Sequence, residues 1–256
     1  MIHYDNMQQG KGVSGLNNIK DYTLFYNAKD GKMHKGKGRE EREKLVDVEI
    51  GEVVEMDGFR GEGSTLVLTG FEFVTSADIA LVVSSGTTIV LESGISLLRV
   101  VPEGPNANTA TLYTKGDLTI TGGEGTLIND ATHTKTETTL WSRCICCRYG
   151  NLTVTGGRVE ARCGPCSRNA GAFYAGGRLF AAENNEQENG SITITGGILV
   201  GASIPETVRA TNTKLTIALN SLVENAIEFA GSAGEFHGDC LTQADKTKDV
   251  VIRFIQ

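Results

Sequence analysis

Five of the six cysteines lie within 23 residues, as "CICC" at 144–147 and "CGPC" at 163–166. Read as C-x2-C-x15-C-x2-C, Cys144, Cys147, Cys163 and Cys166 carry the spacing of a four-thiolate zinc site, in which two knuckles converge tetrahedrally on the ion. Three other chemistries compete with zinc. Cysteine is often a small buried hydrophobe. Six cysteines also allow disulfides, and "CGPC" matches a thioredoxin-like redox string. That last motif belongs at a helix N-terminus in a βαβ setting, and no such pattern is visible.

The same region concentrates positive charge. Arg143, Arg148, Arg158, Arg162, Arg168 and Arg178 face one acid, Glu160, and no lysine, in a chain of net charge −7. Guanidinium forks suit carboxylate and sulfate groups. Arg158 and Arg162 are therefore candidate contacts to a polysaccharide, including an acidic one. The competing and favoured reading is a solvated face on which arginines pair with carboxylates. Trp141 and Tyr174, each just before a strand-like run, are candidate surfaces for sugar stacking, although core or edge packing is the favoured reading of both.

A catalytic set is harder to assemble. Glycosidases and lyases bring paired carboxylates, or acids with a base, to one face. The acids Asp78, Asp117, Glu124, Asp130, Glu183 and Asp239 are scattered along the chain. His237 near Asp239 is a weak pair; His3, His34 and His133 fall in expected loops or the N-terminal arm. Nucleotide-binding loops and serine elbows are not found. No catalytic residues are therefore assigned.

The totals narrow the class further. The chain has 256 residues, 39% of them hydrophobic, with 32 glycines and 4 prolines. It can form a core with many tight turns. Its acidic balance opposes general nucleic-acid binding. No run is apolar enough to predict a membrane span, and the first residues lack the apolar core of an export signal.

What must position these residues is a repeat. "GDLTITGGEGTLIND" from Gly116 is followed by "GNLTVTGGRVEAR" from Gly150 and "GSITITGGILVGA" from Gly190. Within each copy the apolar residues alternate, Leu118 with Ile120, Leu152 with Val154, Ile192 with Ile194. Period two with β-branched residues predicts strands whose threonines point outward. Each Thr-Gly-Gly then predicts a corner, because glycine reaches positive φ without strain. Short strands follow at Thr126–Ile128, Arg158–Ala161 and Ile198–Val200, and "ALVVSSG", "ATLYTKG" and "CICCRYG" supply a third strand before each unit. Starts at 64, 86, 116, 150, 190 and 213 are separated by 22 to 40 residues. One turn of a solenoid needs about 20–25 residues, so the longer steps carry loops such as "EGPNANT", "ATHTKTET" and "ENNEQEN".

The expected fold is thus all-β: a right-handed, single-stranded parallel β-helix of about six coils over 51–256, ending in a C-terminal capping segment. Residues 1–50 are expected to form a non-repeat arm, solvated in "KDGKMHKGKGREEREK" and partly capping the first coil. "SLVENAIEFA" suggests a short amphipathic helix and "DVVIRFIQ" a last strand. Aligning Gly116 with Gly150 puts Cys144 on Ala110 and Cys146 on Leu112, in core columns, and leaves Cys147 on the opposite face with Tyr113. That division breaks the zinc set, and buried thiols become the favoured reading.

"GDLTITGG", "GNLTVTGG" and "GSITITGG", preceded by "LYTK"-like strands, resemble the carbohydrate-binding β-helix domains of clostridial and gut-bacterial surface proteins, and more remotely the pectate-lyase-like β-helices. The likeness covers about residues 64–220. It implies an extracellular or cell-surface adhesin that contacts glycans, often with bound calcium, although no calcium motif carries over residue by residue. Two alternatives stay open: a structural or interaction module, of a virion for example, that associates with protein or with itself, and a polysaccharide lyase or hydrolase.

Overall fold

The structure is a computed structural model. It describes residues 19–37, 40–41, 44–45, 49–103, 107–135, 139–164, 169–175, 192–203, 214–216, 227–231, 233–237, 240–243 and 250–254. Every regular element among them is a β-strand, and no described helix is long and apolar enough to cross a membrane. The strands form an 11-stranded sheet, a 10-stranded sheet and a small two-stranded pair.

The repeat appears as parallel ladders. In the first sheet, Thr65–Thr69, Thr87–Ser93, Leu118–Gly122, Leu152–Cys163 and Ile192–Ser203 pair in succession. Their register stacks Thr65, Thr88, Thr119, Thr153 and Thr193 in one column, with Leu66, Ile89, Ile120, Val154 and Ile194 in the next. Leu118 and Ile120 are buried while Thr119 and Thr121 are half-exposed, as the alternation requires. Beyond the corners, Glu72–Thr75, Ile95–Val100 and Thr126–Asp130 form a second parallel ladder, continued by the distal halves of Leu152–Cys163 and Ile192–Ser203. In those last two repeats the strand runs through the glycine pair without interruption.

The second sheet holds the third strand of each unit. Thr23–Asn27, Ile79–Val83, Ala107–Thr114, Thr139–Cys147, Asn169–Ala175 and Lys214–Thr216 pair in parallel. Leu24, Leu81, Leu112, Ile145 and Phe173 stack in register and are all buried in the main core. Burying side chains of this size stabilises by about 1.5–3 kcal/mol each, so this column is a principal support of the fold. Thr111 and Asn129, which enter the interior, are paired. The Thr111 hydroxyl lies 2.7 Å from the Cys144 carbonyl and 3.0 Å from Asn129 Oδ1, and Asn129 Nδ2 donates to the Glu160 carbonyl at 3.3 Å.

Several expectations are corrected. Simple alternation fails in the second sheet, because Ala80 with Leu81, and Cys144 with Ile145, both join the main core as successive residues. Val82 and Cys146 then emerge on the other face, in a separate cluster with Ile79, Ala110 and Tyr113. Cys146, rather than Cys147, therefore shares a face with Tyr113, and the two residues pair directly. The misalignment has a simple source. Leu112 pairs with Ile145, an offset of 33, whereas Leu118 pairs with Leu152, an offset of 34, so one extra residue sits in the intervening turn. The start read at Thr213 is not a unit start either: Lys214–Thr216 belongs beside Asn169–Ala175. Ile227–Gly231, the latter part of the expected helix, is a strand, and Val250–Phe254 is a strand as expected.

Antiparallel strands cover both ends of the ladders. Lys32–Lys37 forms a hairpin with Thr23–Asn27 and pairs onward with Glu49–Val53, so this part of the arm is ordered structure rather than a solvated tail. At the other end Val250–Phe254 runs antiparallel to Ile192–Ser203. Such ends stop the parallel register from propagating.

Candidate functional site

The Thr-Gly-Gly corners meet in a groove. Before the corner the repeats at Gly116 and Gly150 are offset by 34 residues (Leu118 with Leu152), and after it by 32 (Thr126 with Arg158). The corner after Gly122 is therefore two residues longer than the one after Gly156. The preceding corner matches the longer one, since Leu91 pairs with Gly122 and Ile95 with Thr126 at one offset. The following corner matches the shorter one, since Val154 pairs with Ile194 and Arg158 with Ile198. At this step lies a groove of about 580 Å³. Its walls are Gly122–Thr126, Thr155–Arg158 and Gly196–Ile198.

The glycines around it do different things. Gly157 and Gly197 have φ of 74° and 79°, where other residues are strained. A Cβ on Gly197 would also meet the Gly157 carbonyl oxygen at 2.6 Å, so this stack is as close as backbones allow. Gly123 is unlike them. Its φ is not in the left-handed range, and a Cβ there would meet nothing within 4 Å. Together with exposed Glu124 it makes up the extra length of the longer corner.

Comparison with protein-family profiles, curated proteins and solved structures finds no match. The geometry of the site thus carries the functional argument.

Charge near the groove is largely internally balanced. Arg158 Nε donates to Glu160 Oε1 at 2.8 Å, and Arg162 Nη2 to Glu160 Oε2 at 2.7 Å. One repeat back, Arg99 holds Asp130 through Nε and Nη2, both at 2.9 Å. Burial pushes both carboxyls up. For Glu160 the two arginines outweigh it, and for Asp130 the Thr132 hydroxyl and amide, with Arg99, do the same, leaving each below its ordinary value. Such groups stabilise the fold above their unfolded values, about 4.3 for Glu and 3.9 for Asp, and lose that contribution as pH falls through the lower folded values. The thermal midpoint should therefore drop steeply below about pH 4. Glu160→Gln should flatten that acid limb; an unchanged limb would mean that the pair carries no pH-dependent stability.

Of the residues singled out from sequence, the groove takes in Arg158 and Glu124. Arg162 stands beside it on the same strand. Trp141 and Tyr174 are elsewhere, in the second sheet, where the backbone of Trp141 pairs with Asn108 and Asn169 and that of Tyr174 with Cys146. The side chains of Trp141, Tyr174, Cys163 and His237, and all of Cys166, Glu183 and Asp239, lie outside the described residues.

Cys144, Cys146 and Cys147 are all buried. Burial, with smaller effects from Cys146 and Asp117, pushes the Cys147 thiol well up. That environment opposes the thiolate that a zinc ion requires. The described residues contain no cluster of three or more metal-ligating side chains. In the native protein these three cysteines should resist alkylation, and all should react once it is unfolded, as peptide mass mapping would show. Rapid native labelling of Cys147 would contradict its place in the core.

Proposed function

We propose that this chain is a right-handed parallel β-helix that binds polysaccharide without acting on it. The parallel ladders support the architecture. Each repeat contributes a first, a second and a third strand in the same order, and right-handed crossover is the rule for parallel strands joined in this way. The carrying observation for function is the groove at the Thr-Gly-Gly step. Its volume of about 580 Å³ falls within the range of small-molecule sites. It crosses three repeats, so an extended chain can lie along it. Glu124 is the one carboxylate lining it among the described residues, whereas glycosidic cleavage uses two carboxyl groups, which favours binding over hydrolysis. The resemblance to glycan-contacting bacterial surface domains points the same way.

The test is a glycan array that includes neutral, uronic and sulfated polymers. Saturable binding to at least one polymer is expected, and failure to bind any would remove this reading.

A specific observation supports the structural-module alternative. Glu49–Val53 ends the order of the second sheet, and its Ile50 and Val53 are 49% and 47% exposed. Apolar residues on such an edge favour self-association. Sedimentation of the ligand-free protein separates the readings: a stable oligomer broken by Ile50→Lys would favour the module.

A further inference from the structure

The groove is polar, its walls are mostly backbone, and its charge is asymmetric in availability. Arg158 is its one described cation, and Glu160, which also holds Arg162, already engages it. Glu124 also lines the groove and is exposed. An anionic chain entering here meets an open carboxylate and a cation that must leave its partner. A neutral chain meets peptide groups, the Thr155 hydroxyl and a carboxylate that accepts hydroxyl hydrogen bonds. The glycines that line the groove are not alike. Gly157 and Gly197 must be glycine for backbone reasons, whereas Gly123 has neither a demanding φ nor a neighbour within 4 Å of its absent Cβ. The bare backbone at Gly123 therefore serves the space above it rather than the packing below.

We propose that the groove accepts a neutral, hydroxyl-rich glycan, that Gly123 keeps it open, and that Glu124 both hydrogen-bonds the sugar and excludes anionic chains. This rests on the polysaccharide-binding reading and assigns it a place and a ligand class. A neutral ligand is preferred here to an acidic one because Arg158 and Arg162, the candidate acidic-glycan contacts, share Glu160.

The experiment is affinity electrophoresis of the full chain through gels containing a mixed-linkage β-glucan, a mannan, a xylan or a galactan, and in parallel polygalacturonate or chondroitin sulfate. The wild type should be retarded by at least one neutral polymer and by neither acidic one. Gly123→Gln should weaken that retardation by roughly tenfold or more, while Gly123→Ala keeps most of it. Glu124→Lys should weaken the neutral interaction and admit polygalacturonate. Thermal midpoints close to wild type would show that each variant folds. Unchanged binding by folded Gly123→Gln, or retardation of the wild type by acidic polymers alone, would overturn the assignment while leaving polysaccharide binding intact. No retardation of the wild type by any polymer would remove both.

Discussion

Leu112→Ala should lower the unfolding free energy by about 2–5 kcal/mol. Leu112 is fully buried in the middle of the Leu24–Leu81–Leu112–Ile145–Phe173 column, with a residue of the same column above and below it. A cavity there is walled by strands fixed on both sides, so it relaxes poorly. Thr119→Ala, in the outward column of the other sheet, should cost less than about 1 kcal/mol, because cross-strand pairs at half-exposed positions are worth only that much. Denaturant unfolding followed by circular dichroism compares the two. Equal losses would contradict the inward placement of Leu112 and the outward placement of Thr119.

Gly156→Ala should be nearly as damaging, at about 3 kcal/mol, because a methyl group there collides with the Gly122 carbonyl oxygen and nitrogen of the neighbouring repeat. Backbone atoms cannot swing aside as a long side chain can. Gly123→Ala, in the extra length of the neighbouring corner, should stay within about 0.5 kcal/mol of wild type. The contrast isolates repeat stacking from local chain flexibility, since both substitutions reduce the freedom of the unfolded chain similarly. If both are tolerated, the repeats do not approach each other at Gly122 and Gly156 as described.

Much of the first sheet was legible because its residues obey one period. Leu118 and Ile120, with Thr119 and Thr121 between them, declare two faces without ambiguity, and the copies at Gly150 and Gly190 fix the stacking partner. The second sheet hides its faces. A successive inward pair such as Cys144–Ile145 is invisible to a period of two, and the extra residue after Cys147 shifts the alignment that a shared glycine suggests. Cys144 lies inside as the alignment predicts, while Cys146 and Cys147 exchange faces.

The site was legible in part. Arg158, Glu160 and Arg162 alternate on one strand, and their sharing of Glu160 is the paired face that alternation implies. The groove was hidden by the motif itself. "TGGEGT" and "TGGRVE" both begin with Thr-Gly-Gly, so matching the strings sets Gly123 opposite Gly157. Strand register instead matches Gly125 with Gly157 and makes Gly123 and Glu124 surplus length. The signal was the third glycine, two residues on, in the first copy alone.

The central claim, that a neutral glycan lies at this step between corners, is tested most directly by amide chemical shifts of the 15N-labelled full chain titrated with a mixed-linkage β-glucan tetrasaccharide and with mannotetraose. At least one should move the amides of Gly123, Glu124, Gly157 and Gly197 together along a single saturation curve. Saturable shifts confined to the second sheet around Trp141 and Tyr174, with the corner glycines unmoved, would contradict it.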